Sequence, residues 1–251
     1  MRLRPIALSL ALTILMAVPA PAAAGELLVS AAASLTNALT AVKQKYEAAH
    51  PGQRLTLNFS SAGALIRQME NGAPVDVFCA ADQQFMDLAA QKGLIDPASR
   101  RDFTRNVMVL AVPADSKLRI SALRDLAGPQ VKRVALGNLG TTPLGREAKK
   151  AFGAAGVWGQ VEPKLVIGET VRQVLDYIVR GEVDAGFVFA TDALHAGVKV
   201  RVALVLDQAG PFRYPVAVVK GSKNPAAKAF EDYLSGPEGQ AVLHDFGFLR
   251  P

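Results

Sequence analysis

Short apolar runs alternate with helical patterns along almost the whole of this chain, and that rhythm restricts the fold more than any other feature. Runs at about 26–30, 55–59, 75–79, 106–113, 133–137, 164–168, 184–189, 200–205 and 213–219 read as strands. Helical periodicity fills the intervals at about 35–49, 63–71, 83–92, 121–126, 144–154, 171–180 and 191–195, then at 225–234 and again from Pro237. Strands separated by helices pair in parallel and carry helices on both faces of the sheet. The fold class is α/β.

Two extended segments are longer than the rest, Asn106 to Pro113 and Arg213 to Val219. The block between them has a βα alternation of its own. The chain is therefore expected to leave one lobe through the first segment and return through the second. This gives lobe 1 as 25–107 with 215–251 and lobe 2 as 108–214. Two lobes joined by two crossings enclose a cleft, and ligands of open α/β sheets bind beyond the carboxyl ends of the strands, where that cleft lies.

The first 24 residues read as an export signal. Arg2 and Arg4 precede an apolar run from Ile6 to Val18, which is short for a bilayer span, and Pro19 to Ala24 supplies small residues for cleavage after Ala24. No cysteine follows that point directly, which argues against a lipid anchor. The expected location is a periplasm. Loss of Arg2 and Arg4 takes the formal charge from +6 to +4. The basic residues are scattered and aromatics are few, so no nucleic-acid surface is indicated. Cys79, the single cysteine, sits in the apolar run Val75 to Ala80 and reads as a buried, inert thiol.

Several helix starts follow strand ends directly and carry hydroxyls or glycines. They are Ser34, the Ser60-Ser61-Ala62-Gly63 turn, the Gly140-Thr-Thr-Pro-Leu-Gly145 turn, Thr170 after Gly168-Glu169, and Thr191 after Phe187-Val-Phe189. Ser34 and Thr170 are expected to cap their helices, and Pro143 suits a first turn. The free N–H groups and the dipole of a helix start favour an anion. Two starts fall in the first lobe and three in the second, so a small anion in the cleft would meet neutral donors from both sides. A site of donors alone prefers an oxyanion with no proton over hydrogen phosphate, whose O–H would lack a partner at a cost of about 1–3 kcal/mol.

The strings Ala31-Ala-Ala-Ser-Leu-Thr-Asn-Ala38, Asn71-Gly-Ala-Pro-Val-Asp-Val-Phe78, Ala81-Asp-Gln-Gln-Phe-Met-Asp87, Tyr214-Pro-Val-Ala-Val-Val219 and Phe230-Glu-Asp-Tyr-Leu-Ser-Gly-Pro237 resemble the periplasmic molybdate-binding proteins of ABC transporters. The resemblance runs in order over essentially the whole chain after residue 24. It implies a two-lobed type II periplasmic binding fold, a tetrahedral oxyanion ligand (molybdate or tungstate), no cofactor, and delivery to a membrane permease by what we expect to be a monomer. It assigns Ser34 as a ligand serine and Leu144 and Val171 as backbone donors. Where the family has its second ligand serine this chain has Ala62, which keeps its N–H, with Ser60 and Ser61 just before it. Phe189 stands where the family commonly has a tyrosine whose hydroxyl meets the ligand. That leaves one hydrogen bond to be replaced by water or by Thr191. Sulfate and chromate remain alternative ligands.

Other conspicuous residues read as structural. Asp76 is expected to be a satisfied carboxylate, Trp158 to pack a helix end, and Arg67, Arg146 and Arg172 to be solvated or to bridge the lobes. An exported α/β enzyme is the competing class. There is no G-x-S-x-G elbow, no H-E-x-x-H and no G-x-G-x-x-G, and His50, His195 and His244 lie far apart. The Gly140 turn has Arg146 and Glu147 where a phosphate loop needs Lys and Ser or Thr, so an enzyme is not expected.

Overall fold

The computed structural model describes residues 25–206 and 212–251. The expected export segment, 1–24, and residues 207–211 of the second crossing lie outside the described residues.

Two five-stranded sheets organise the described chain. The first runs in the order β2 (Gln53–Ser60), β1 (Gly25–Ala32), β3 (Val77–Cys79), β10 (Phe212–Val218), β4 (Arg101–Asn106). The second runs β7 (Leu165–Gly168), β6 (Val134–Gly137), β8 (Ala185–Phe189), β5 (Met108–Pro113), β9 (Val200–Leu206). In each sheet four strands share one direction, and one reversed strand, β10 or β5, pairs antiparallel with both neighbours. This is the mostly parallel, two-sheet α/β architecture that the alternation implies.

Helices cover the sheets because each has one apolar stripe. In α1 (Thr36–Ala49) the buried positions are Ala38, Leu39, Val42 and Tyr46, and in α6 (Val171–Val179) they are Val171, Val174, Leu175 and Ile178. Both sets follow the helical period. Gly181, at φ 65°, takes the left-handed conformation just beyond α6, which suits a residue without Cβ. Strand β8 is buried along its whole length, as a central strand covered on both faces must be. A separate apolar cluster of Leu65, Ile66, Met69, Phe78, Phe85 and Met86 fills the space under α2 (Ala62–Glu70) and α3 (Gln83–Gln91). The remaining helices are α4 (Pro143–Ala154), α5 (Trp158–Val161), α7 (Ala190–Ala196), α8 (Ala226–Ser235) and α9 (Pro237–Asp245).

The two crossings between the sheets lie side by side. Asn106 of β4 pairs with Phe212 of β10, and two residues on, Met108 of β5 pairs with Leu206 of β9. The chain thus enters the first sheet at Phe212, slightly before the return expected at 215. The extended segment expected at 106–113 is also broken. The Asn106 side chain accepts the Val107 N–H at 2.9 Å, and this local bond separates β4 from β5. Strand β4 and the single turn α5 were not expected from the sequence.

The structural readings of the isolated residues fit their surroundings. Asp76 accepts hydrogen bonds from Leu28 N–H, Ser222 Oγ and Asn224 Nδ2. Trp158 packs against Phe152 with ring centroids 6.4 Å apart, and Lys149 Nζ lies 5.0 Å from its ring. Cys79 is fully buried, and burial pushes its thiol well above the ordinary value, which keeps it unreactive.

Candidate functional site

The carboxyl ends of β1 and β2 face those of β6, β7 and β8 across a narrow cavity. Ala32, Ser34, Ser60, Ser61 and Ala62 line it from the first sheet. Gly137, Thr142, Leu144, Thr170, Val171 and Phe189 line it from the second. Ser34, Ser61, Ala62, Leu144, Val171 and Phe189, which lie far apart in sequence, are therefore brought together in one place. The cavity spans about 350 Å³, part of it open to solvent. Its narrow interior suits an ion of a few atoms.

Three helices start at this cavity. In α4 the Thr142 hydroxyl accepts the N–H of Gly145 at 3.1 Å, and in α6 the Thr170 hydroxyl accepts the N–H of Gln173 at 3.3 Å. Each cap satisfies the third residue of its helix. Leu144 and Val171, earlier in the same first turns, have no carbonyl one turn back to bond. Ala62 is the first residue of α2, and Ser61 before it makes no side-chain cap. Close packing holds these starts in place. A Cβ on Gly137 would stand 2.4 Å from the Thr142 hydroxyl, and one on Gly145 would stand 2.2 Å from the Gly137 carbonyl. Glycine at both positions lets α4 begin directly against the end of β6.

Two of the expected helix starts differ from the sequence reading. Ser34 does not cap α1, because β1 continues to Ala32 and a single 3-10 turn, Ala33–Leu35, precedes the helix. Its buried hydroxyl instead meets the Tyr214 hydroxyl at 3.0 Å. Thr191 lies inside α7, which Phe189 precedes, and the Asp192 carboxylate takes the Phe189 N–H at 3.1 Å. The Thr191 hydroxyl accepts from Asn106 Nδ2 at 2.8 Å and lines a neighbouring cavity, so it does not replace the hydroxyl that Phe189 lacks.

Among the described residues, no charged side chain lines the cavity. The two nearest guanidinium groups are already engaged in bridging the sheets. Arg172 of α6 donates to the carbonyls of Ala33 at 3.2 Å and Ser34 at 3.4 Å, and lies 3.2 Å from the Asp192 carboxylate. Arg146 of α4 pairs with Asp82 and stands over the Phe85 ring at 5.3 Å. Burial pushes the Asp192 carboxyl up to about 6, against the pull of Arg172 and of the Phe189 N–H. Asp82 is also raised, by burial first, with the Phe85 N–H and Arg146 opposing. These pairs leave the cavity wall to neutral N–H and O–H groups. The arrangement can bind a small anion through neutral donors. The described residues contain no group of three or more His, Cys, Asp or Glu placed to hold a metal ion.

Tyr214 and Asn106 stand behind the cavity wall, and sequence reasoning gave neither a role at the site. Tyr214 is 180 residues from Ser34, and no linear spacing announces that contact. Phe189 contacts the same ring, with centroids 5.6 Å apart, and it also packs on Phe212 at 5.2 Å.

Comparison with known proteins agrees with this architecture. The family model described as bacterial extracellular solute-binding protein matches residues 27–249. The chain is 38% identical to the molybdate-binding protein ModA of Escherichia coli over 234 residues, covering 89% of each chain. It is 31% identical to ModA of Haemophilus influenzae over 237 residues, covering 90% of this chain and 91% of that one. Among solved structures, the periplasmic molybdate-binding protein of Azotobacter vinelandii superposes with a TM-score of 0.79 at 22% identity, covering 90% of this chain and 99% of that one, which supports the shared fold. This chain belongs to the bacterial extracellular solute-binding proteins.

Proposed function

We propose that this protein is a periplasmic receptor that captures molybdate, and tungstate with it, and delivers the ion to a membrane ABC permease. One observation carries the reading: helix starts beside two separate sheets present neutral donors to a small cavity that no charged side chain lines among the described residues. The names of the relatives at 38% and 31% identity agree with it. Ser34, Ser61 and the Ala62 N–H hold the ion from lobe 1, and the N–H groups of Leu144 and Val171 hold it from lobe 2, with Phe189 closing the wall. Lobe 1 is built on the first sheet, to which the chain returns at Phe212, and lobe 2 on the second sheet. Only the closed arrangement completes both donor sets, so the ion shifts the population toward the form a permease recognises. Molybdate and tungstate share charge and size, so one cage takes both. The mature protein begins after cleavage at Ala24 and works as a monomer.

Calorimetric titration of the mature protein against molybdate, tungstate, sulfate, chromate and phosphate tests this. One-site binding is expected, tightest for molybdate and tungstate. Tighter binding of sulfate or chromate would keep the oxyanion class and overturn the identity of the ion. No binding of any of them would overturn the receptor.

A further inference from the structure

Ser34 offers the cavity a hydroxyl, and a hydroxyl can either give or take a hydrogen bond. Which it does toward a ligand depends on how its other contact is used. That contact is the Tyr214 hydroxyl at 3.0 Å, itself able to give or take. Asn106 settles the direction. Its Oδ1 accepts the Val107 N–H at 2.9 Å, so its NH2 end faces Thr191 Oγ1 at 2.8 Å and the Tyr214 oxygen at 3.5 Å. An NH2 group only donates. The Tyr214 oxygen therefore receives on that side and sends its own O–H to Ser34 Oγ. With its oxygen accepting from Tyr214, Ser34 has its proton left for the cavity.

The surroundings keep this chain of bonds in one orientation. Tyr214 is wholly buried, and its ring is held edge-on by Phe189 at 5.6 Å and by Phe248 at 5.7 Å. Asn106 is buried at the crossing between the sheets. Burial also holds the Tyr214 phenol well above its ordinary value, so it remains a donor throughout the neutral range.

We propose that Tyr214, oriented by Asn106, is a positioning residue that fixes Ser34 as a donor toward the ligand and so selects oxyanions that carry no proton. This rests on the receptor reading above and extends it to two residues outside the cavity wall. A ligand oxygen bearing a proton would meet a hydroxyl that already donates into the cavity, and the ligand's own O–H would lack an acceptor. Hydrogen phosphate and molybdate both carry two negative charges at about pH 8 and differ in that proton. Their relative affinity therefore reports the orientation of Ser34 with overall charge held constant.

The test is calorimetric titration with molybdate and with inorganic phosphate at about pH 8, on the wild type, Tyr214→Phe, Ser34→Ala and the double variant. Tyr214→Phe is expected to weaken molybdate binding by about tenfold, the scale of one hydrogen bond to a charged group. It is expected to weaken phosphate binding less, so the gap between the two anions narrows. In the Ser34→Ala background the same substitution is expected to have no further effect. An equal loss for both anions, or an undiminished loss in that background, would show a merely structural tyrosine and overturn the proposal. If Tyr214→Phe does not fold, Asn106→Ala replaces it. That variant leaves the phenol in place but frees its direction, and the same narrowing is expected; affinities equal to wild type would overturn the proposal. Wild-type protein that binds no molybdate would defeat the receptor reading beneath it. Wild-type binding that Ser34→Ala leaves unchanged would instead remove Ser34 from the ion.

Discussion

The backbone N–H of Gly63 donates to the carbonyl of Thr141 at 3.1 Å, so the two sheets meet backbone to backbone at the rim of the cavity. A Cβ on Gly63 would stand 2.9 Å from the Thr141 Cα, which is main chain and cannot swing aside. Gly63→Ala is therefore expected to hold the cleft apart and weaken oxyanion binding by tenfold or more. Position 63 does not have a positive φ, so alanine fits the helix itself and the unfolding midpoint without ligand stays near that of wild type. Titration calorimetry beside thermal unfolding checks both halves, and an unchanged dissociation constant would contradict the contact's role in closure.

Arg146 and Asp82 join the sheets on the same side of the cavity, and the guanidinium also covers the Phe85 ring. Asp82 holds the start of α3 through the Phe85 N–H, so the arginine is the partner to change. A partly exposed pair of this kind contributes on the order of 1 kcal/mol. Arg146→Met is expected to speed ligand release about fivefold while leaving the rate of capture nearly constant. Stopped-flow displacement measures this, and an unaltered release rate would show that the pair does not hold the closed form.

Phe189→Tyr adds a hydroxyl to a residue of the cavity wall. The ring is already fixed by Phe212 and Tyr214, so the cost of ordering the new group is small. Binding is expected to tighten by about tenfold, the scale of one added hydrogen bond to a charged group. No gain on titration would show that the para position does not reach the ion.

Asp192 links stability to pH. Its carboxyl is raised from 3.8 to about 6 in the folded protein, so between those values the native state binds the proton that the unfolded chain releases. This contribution to stability is present at about pH 4 and is lost as pH rises through 6. Urea denaturation at pH 7 and pH 5 is expected to show wild type gaining more on acidification than Asp192→Asn, by on the order of 1 kcal/mol. Equal gains in the two proteins would contradict the raised carboxyl.

Much of this architecture is legible in the sequence because it is local. The Thr142 and Thr170 caps, Pro143 in a first turn and the apolar stripes of α1 and α6 are all set within four residues of themselves. Strand β4 is not legible in that way. Arg101 to Asn106 is mostly polar, and Phe103, Thr104 and Asn106 become buried only when β10 and the C-terminal segment pack beside them. The misplaced cap at Ser34 has a similar origin. A serine after three alanines reads as a helix start, but β1 pairs with β2 until Ala32 lies opposite Ser60, and the 3-10 turn Ala33–Leu35 then puts the start of α1 at Thr36. The contact of Ser34 with Tyr214 depends on β10 returning to the first sheet from a distant part of the chain, which no local pattern encodes.

Crystallography of the mature protein with molybdate shows whether neutral donors from both sheets surround one small anion. Anomalous scattering at the molybdenum edge locates the metal without ambiguity. One strong peak is expected in this cavity, with ligand oxygens in hydrogen-bond reach of Ser34 Oγ and of the Ala62, Leu144 and Val171 N–H groups. A peak elsewhere on the protein, or one here with those N–H groups turned away from it, would overturn the oxyanion site.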